Sequence, residues 1–135
     1  MEVMEAIKTR RSIRKFKTTP VDDETVNIVL EAARWAPSWT NTQCWRFIVV
    51  RDDNIKAKLA DASNVELQGK VVVNPARDAV RQAPVVILAC AKLGKSGYYH
   101  GEPSTEEEIL NMFDVAIAMQ NLVLAAHSLG LGTVH

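Results

Sequence analysis

The sequence predicts an α+β fold, a small mixed β-sheet with helices packed on both faces. Three observations carry that reading. Two continuous apolar runs, ending Phe47-Ile48-Val49-Val50 and spanning Val85 to Ala91, have the length and composition of buried strands. Between residues 22 and 36 the apolar residues instead recur at helical spacing, behind a capping aspartate. A third stretch, from Ser104 to Gly130, carries start and stop signals for one long and almost wholly apolar helix.

Taken in order, Met1 to Thr9 places Val3, Met4 and Ile7 on one helical stripe. The next helix begins at Asp22, which can accept a backbone N–H, and Asp23 and Glu24 suit the positive end of the helix dipole. Val26, Val29, Leu30 and Ala33 form its buried face, and Pro37 ends it. Pro37 to Gln43 reads as a loop leading into the strand Trp45 to Val50. Asp52 to Ala62 is helical by Ile55 and Leu59, and Asn74-Pro75 forms a cap and first-turn pair for a short helix ending near Gln82. Val85 to Ala91 is apolar on both faces, which predicts a central strand.

Lys92 to Pro103, with three glycines, two tyrosines and a histidine, reads as a loop or lid. Ser104 with Glu107, or Thr105 with Glu108, makes a capping box for a helix of about 25 residues, roughly 37 Å long. Its polar residues, Asp114, Gln120, Asn121 and His127, require hydrogen-bond partners if that helix is buried. Leu131 to His135 then starts a further strand. The sequence halts inside that element, so a C-terminal continuation is expected of the full protein.

Composition narrows the function. The chain has 135 residues, 47% of them hydrophobic and 24% charged, as expected of one globular domain. Sixteen basic and sixteen acidic side chains give zero formal charge, which argues against a dedicated nucleic-acid or anionic-membrane binder. Cys44 and Cys90 are too few for a disulfide scaffold and lack zinc-ligand spacing. The N-terminus has no signal-peptide pattern, and no run of about 18 apolar residues occurs, so a cytoplasmic protein is expected. Gly94-Lys95-Ser96 follows a strand but Ala89 stands where a P-loop needs its first glycine. No hydrolase or metalloprotease signature is present, and neither a metal site nor a catalytic side chain is assigned.

Two concentrations of polar residues remain. From Lys8 to Lys17 the chain carries six basic residues and no acid. A solvated face would look like this, and so would an anion clamp in which arginines fork onto a phosphate and Ser12 adds a neutral donor. Pro37-Ser38-Trp39-Thr40-Asn41-Thr42-Gln43 sets small amide and hydroxyl groups before Trp45. Trp45 itself reads as a core anchor, whereas Ser38 and Asn41 suit the carbonyl and N–H edges of a planar heteroaromatic ring. Together the two segments describe a site for a mononucleotide-like cofactor.

At these residues the chain resembles a known family. Arg10-Arg11-Ser12-Ile13-Arg14-Lys15-Phe16 is similar to the R-R-S-x-R-x-F start of the FMN-dependent nitroreductases. Pro37 to Phe47 resembles their P-S-x-x-N-x-Q-P-W-x-F segment, with Cys44 where the family usually has proline. Asn121-Leu122 through Leu129-Gly130-Leu131-Gly132 is similar to their long central helix and following strand. The three matches occur in order and cover most of the chain.

The resemblance implies a nitroreductase-like fold, an intertwined homodimer and FMN held at the dimer interface. Arg10 and Ser12 would lie on the phosphate and ribityl chain, with Arg11 contributing contacts, and Arg14 on the ribityl and pyrimidine side. Pro37, Ser38, Trp39 and Asn41 would meet the ring from the opposite subunit, and Asn74 and Arg77 have a spacing seen at the flavin in some members. The implied activity is hydride transfer from NADH or NADPH through FMN N5 to a nitroaromatic, quinone or similar small acceptor, in ping-pong order. Alternatives on the same fold are a flavin-fragmenting or dehalogenating enzyme and a non-catalytic flavin- or ligand-binding protein.

Overall fold

The structure, a computed structural model, describes residues 1–104 and 109–135. Two of the helices begin at an aspartate that satisfies a first-turn backbone N–H. Helix α1 spans Val3–Thr9. Helix α2, Asp23–Arg34, is capped by Asp22, whose carboxylate accepts from the Thr25 N–H at 2.7 Å. Val26, Val29 and Ala33 are buried on α2 and Leu30 is half-buried, as the stripe predicts. Helix α3, Asp53–Ala62, is capped in the same way, Asp52 accepting from the Ile55 N–H at 2.9 Å. Lys56 is buried on α3, and its ammonium is satisfied by the Ala83 carbonyl and the Asp53 carboxylate, both at 2.8 Å.

Strand β1, Trp45–Val50, has the predicted limits. It pairs antiparallel with β4, Val86–Ala91, with Trp45 opposite Ala91 and Val50 opposite Val86. The two predicted strands thus pair with each other in a two-stranded sheet, so the 85–91 run is not the central strand expected, and the strand expected at 131–135 is, among the described residues, a single parallel bridge between Ser12 and Thr133. In that bridge the Ile13 N–H donates to the Thr133 carbonyl at 2.8 Å. Gly132 permits it, since a Cβ there would stand 3.0 Å from the Ile13 side chain.

One hairpin is absent from the sequence expectations. Strands β2, Val65–Leu67, and β3, Lys70–Val72, pair through Gln68 and Gly69, both at positive φ. Every residue of the two strands is exposed, so no alternation of polar and apolar side chains marks them. The Asn74 cap also requires correction. Helix α4 starts at Arg77, two residues later than Asn74-Pro75 predicts, and ends at Gln82 as expected. Asn74 instead accepts from the Ala76 N–H at 2.8 Å, closing a local turn that delays the helix. In the 92–103 segment a two-residue ladder, β5 (Tyr98–Tyr99) with β6 (Glu102–Pro103), structures the predicted loop.

Helix α5 covers Leu110–Ser128, shorter than the predicted 25 residues. The glutamates and Thr105 of the proposed capping boxes lie outside the described residues, while the Ser104 hydroxyl is turned to the Gly97 carbonyl at 2.7 Å. At the other end the predicted glycine stop is realised. Gly130, at φ +79°, donates to the His127 carbonyl and Leu131 to the Ala126 carbonyl, the double bond pattern of a left-handed helix terminus. Helix α5 packs along α2 and across β1 and β4. The core between them contains Ala33, Ala36, Cys44, Trp45, Val115 and Ala118, so Trp45 is the anchor its sequence context predicts. Among the described residues no helix is long and apolar enough to cross a membrane.

The cap on α2 supplies a test of this architecture. Its hydrogen bonds from Thr25 hold the Asp22 carboxyl below the ordinary aspartate range. Because the folded-state value is the lowered one, the stabilisation is present above the unfolded value and fades as the pH falls through the folded one. Asp22→Ala is expected to lower the urea midpoint at neutral pH, and the difference from the parent should shrink in acid.

Candidate functional site

Helix α1 ends at Arg10, whose backbone turns to φ −54°, ψ 137° and sends the following residues out as an extended segment. Arg10 is half-buried; Arg11, Ser12 and Arg14 are exposed. The Arg11 guanidinium folds back, donating to the carbonyls of Lys8 at 3.0 Å and Arg10 at 2.9 Å, so it stabilises the helix end. No ion pair within the described residues engages Arg10, Arg11, Arg14, Lys15 or Lys17. Arg10 and Arg14 therefore present cationic forks without an internal carboxylate, the condition an external phosphate requires.

The second segment is shaped by hydrogen bonds to its own side chains. After α2, Ser38 is extended and a short 3-10 turn covers Trp39–Asn41. The Ser38 hydroxyl oxygen accepts from the Gln43 N–H at 2.9 Å and keeps its own proton available to donate. The Asn41 carboxamide oxygen accepts from Gln43 Nε2 at 3.0 Å, which leaves the Asn41 Nδ2 protons available to donate. Pro37 and Asn41 are exposed; Ser38 and Trp39 are half-buried. Thr40, Asn41 and Gln43 all have positive φ, at 45°, 57° and 47°. Left-handed backbone at three non-glycine positions, one of them β-branched, is held only where surrounding contacts over-determine it.

Those contacts come from α5 and from the 92–103 segment. The Trp39 N–H donates to both carboxylate oxygens of Asp114, at 3.0 and 3.2 Å. The Ser96 hydroxyl donates to the same carboxylate and lies 3.2 Å from the Thr42 hydroxyl. Cys44, fully buried, points its thiol at the Asn111 carbonyl at 3.8 Å and at Asp114 at 4.0 Å. Asp114 is thus the polar residue of α5 that joins three separate segments. The sequence marks it only as a carboxylate within an apolar helix; partners 75 and 18 residues away leave no local signal. The other polar residues divide. Asn121 donates to the Ala32 carbonyl at 3.2 Å and His127 meets the Thr9 hydroxyl at 2.8 Å, whereas Gln120 is exposed and needs no internal partner.

The two candidate segments are not joined to each other by any hydrogen bond or ion pair among the described residues. A groove of about 970 Å³ is bordered by Ile13, Lys15 and Phe16 of the first segment, with Ile87, Met119 and Val134, and includes no residue of 37–43. Asn74 and Arg77 sit at the start of α4, where Asn74 is committed to its turn and Arg77 Nε stands 3.8 Å from Asp78, too far for a hydrogen bond.

With this geometry in place, comparison with known proteins is decisive. The profile of the Nitroreductase family matches residues 7–135. The chain belongs to the nitroreductase family. It is 39% identical over 136 residues to a protein of Methanothermobacter thermautotrophicus named for NADH dehydrogenase and NAD(P)H nitroreductase activity, covering 99% of this chain and 60% of that relative. A nitroreductase family protein of Clostridium novyi superposes with a TM-score of 0.79 at 33% identity, over 99% of this chain and 68% of that one. A Desulfovibrio desulfuricans structure described as a nitroreductase in complex with FMN superposes at 0.75 with 34% identity, over 98% and 66%. The fold is therefore nitroreductase-like, as the motifs imply.

The buried thiol allows the loop to be followed in solution. Burial, and then the Asp114 carboxylate, push the Cys44 thiol above its ordinary range, so its thiolate is disfavoured when folded. A raised folded-state value stabilises below the unfolded thiol range and is lost as the pH climbs through it. In native protein at mildly alkaline pH, Cys44 is expected to react with a disulfide reagent far more slowly than exposed Cys90, and in concentrated urea the two rates should converge.

Proposed function

We propose that this chain is the flavin-binding part of an FMN-dependent oxidoreductase that uses NADH or NADPH to reduce a nitroaromatic, quinone or similar small acceptor. The observation that carries the reading is the pair of unpaired guanidiniums, Arg10 and Arg14, flanking Ser12 at the end of α1. Membership of the nitroreductase family, and the FMN complex of the Desulfovibrio desulfuricans protein, support FMN as the anion they take.

The residues present fit that cofactor. A phosphate needs charge without stringent placement, and exposed arginines supply it. A flavin ring edge needs fixed donors and acceptors, and the strained 38–43 turn holds the Ser38 hydroxyl and the Asn41 amide in place. Pro37 precedes the same turn and Trp39 lies within it. Bound FMN would supply the hydride chemistry, taking electrons from the nicotinamide and passing them on. The work of this chain is to bind, orient and exclude water. Arg14, on our assignment, adds a fixed positive charge beside the pyrimidine edge, where it favours the reduced, more negative ring. No side chain need act as nucleophile.

Assembly follows from the separation of the two segments. Because Arg10, Ser12 and Arg14 have no link to Ser38 and Asn41 within one chain, we assign them to sites completed by a second copy, each site taking one segment from either subunit. Exposed apolar side chains at Val3, Met4 and Ile7 of α1 and at Met112 and Phe113 of α5 offer the surface that such a homodimer would cover.

Purified protein should be yellow, and NADH or NADPH under nitrogen should bleach it. Flavin that resists both nucleotides would favour a binding role, and colourless protein that cannot be reconstituted would exclude both readings. Arg10→Ala is expected to weaken FMN binding ten- to hundredfold, roughly 1.5–3 kcal/mol. Arg14→Ala should also lower the flavin reduction potential, measured by dye equilibration. For assembly, Arg14→Ala and Asn41→Ala subunits co-expressed with different tags should yield mixed dimers with about half the parental flavin and activity, since one shared site then collects both lesions and the other neither. No recovery would mean that each site lies within one subunit.

A further inference from the structure

We propose that Asp114 is a positioning residue for the flavin-ring loop, its buried carboxylate acting as the clamp that keeps residues 38–44 in their strained, ligand-presenting shape. The inference rests on the reading of that loop as the FMN-ring contact, and it concerns a residue that none of the flavin motifs contains.

Asp114 is 1% exposed, and among the described residues no cation pairs with it. A carboxylate so placed is costly unless donors replace its water. It has three: the Trp39 backbone N–H, the Ser96 hydroxyl and, weakly, the Cys44 thiol. Two of the three belong to the loop and bracket its left-handed residues, Thr40, Asn41 and Gln43. Of the loop's other bonds, Asn41 N–H to the Ser38 carbonyl, Thr42 N–H to the Trp39 carbonyl, Gln43 N–H to Ser38 Oγ and Gln43 Nε2 to Asn41 Oδ1 lie within the loop and shape the turn. The Lys92 N–H and the Arg46 guanidinium reach the Cys44 and Gln43 carbonyls, and so hold only its C-terminal end beside β1. Asp114 ties its N-terminal half to α5, where the Cys44 thiol also meets the Asn111 carbonyl, and through Ser96 it ties the 92–103 segment to the same point, with Thr42 adjoining. Cys44, at the end of the loop, is fastened by the same carboxylate and by the Asn111 carbonyl.

The test uses the full chain carrying Cys90→Ser, so that Cys44 alone reports, with Asp114→Asn, Ser96→Ala and, as a packing control, Val123→Ala on the same helix away from the loop. FMN affinity, the position of the bound-flavin absorption bands and the rate of Cys44 labelling are measured for each. Asp114→Asn is expected to weaken FMN at least tenfold, shift the bands and speed labelling at least tenfold. Ser96→Ala should do so about threefold, and it decides the matter if Asp114→Asn does not fold. Val123→Ala should lower thermal stability yet leave affinity and bands within twofold of the parent. Parental FMN binding in Asp114→Asn, equal FMN loss in Val123→Ala, or FMN loss with Cys44 still protected would each overturn the proposal. If the parent itself takes no FMN, the functional reading fails separately, and Cys44 labelling alone tests the clamp.

Discussion

The close approach of α2 and α5 is the constraint on which the rest of the molecule depends. It is made by alanines: in the shared core Ala33 and Ala118 are fully buried and Ala36 nearly so. With methyl groups at the crossing, the two helix backbones come near enough for Asn121 to donate across to the Ala32 carbonyl. A larger side chain at Ala33 or Ala118 would have to displace a helix, because the interior around it is already filled. From this helix pair the β1–β4 ladder takes its support, with Trp45 and Phe47 packed against the same cluster. Burying Trp45 removes a large apolar surface from water, on the order of 2–3 kcal/mol of stabilisation, and it fixes the strand that begins directly after the 38–44 loop.

The two halves of the candidate site are supported by different physics, suited to what each would hold. The 38–43 turn is built from short hydrogen bonds and left-handed backbone, and it is tied to a rigid helix. Such a construction gives definite directions to a few donors. The Arg10–Arg14 segment is extended, exposed and secured chiefly through the Ile13 bond to Thr133 and the close contact of Ile13 with Gly132. Long cationic side chains on such a segment retain their rotamer freedom and can adapt to an anion's position.

What the sequence makes legible is local. Asp22, Gly130 and the apolar runs at 45–50 and 86–91 act through neighbours within a few residues, and the structure uses each as predicted. The 65–72 hairpin was illegible for a local reason too, since three-residue strands with every side chain exposed have no buried face to write into the sequence; only Gln68-Gly69 hints at the turn. Asn74 misleads because asparagine caps turns and helices by the same bond. The Asp114 network is a different case. That a carboxylate among Phe113, Val115 and Ala118 must be bonded can be read from composition alone, but its partners on other segments follow only from the folded chain.

The bridge between Ser12 and Thr133 has a kinetic consequence. It joins residues from nearly opposite ends of the sequence, while α1 to α4 and both hairpins are made from neighbours. Contacts of such long separation form only after the intervening chain has collapsed, because the loop they close is otherwise too disordered to be held. The arginine segment therefore gains its fixed course only once α5 and the residues after Gly130 are in place. A chain still emerging from the ribosome would carry residues 38–43 early and the Arg10–Arg14 segment unfastened until synthesis reached Thr133, so this half of the candidate site cannot mature before the other.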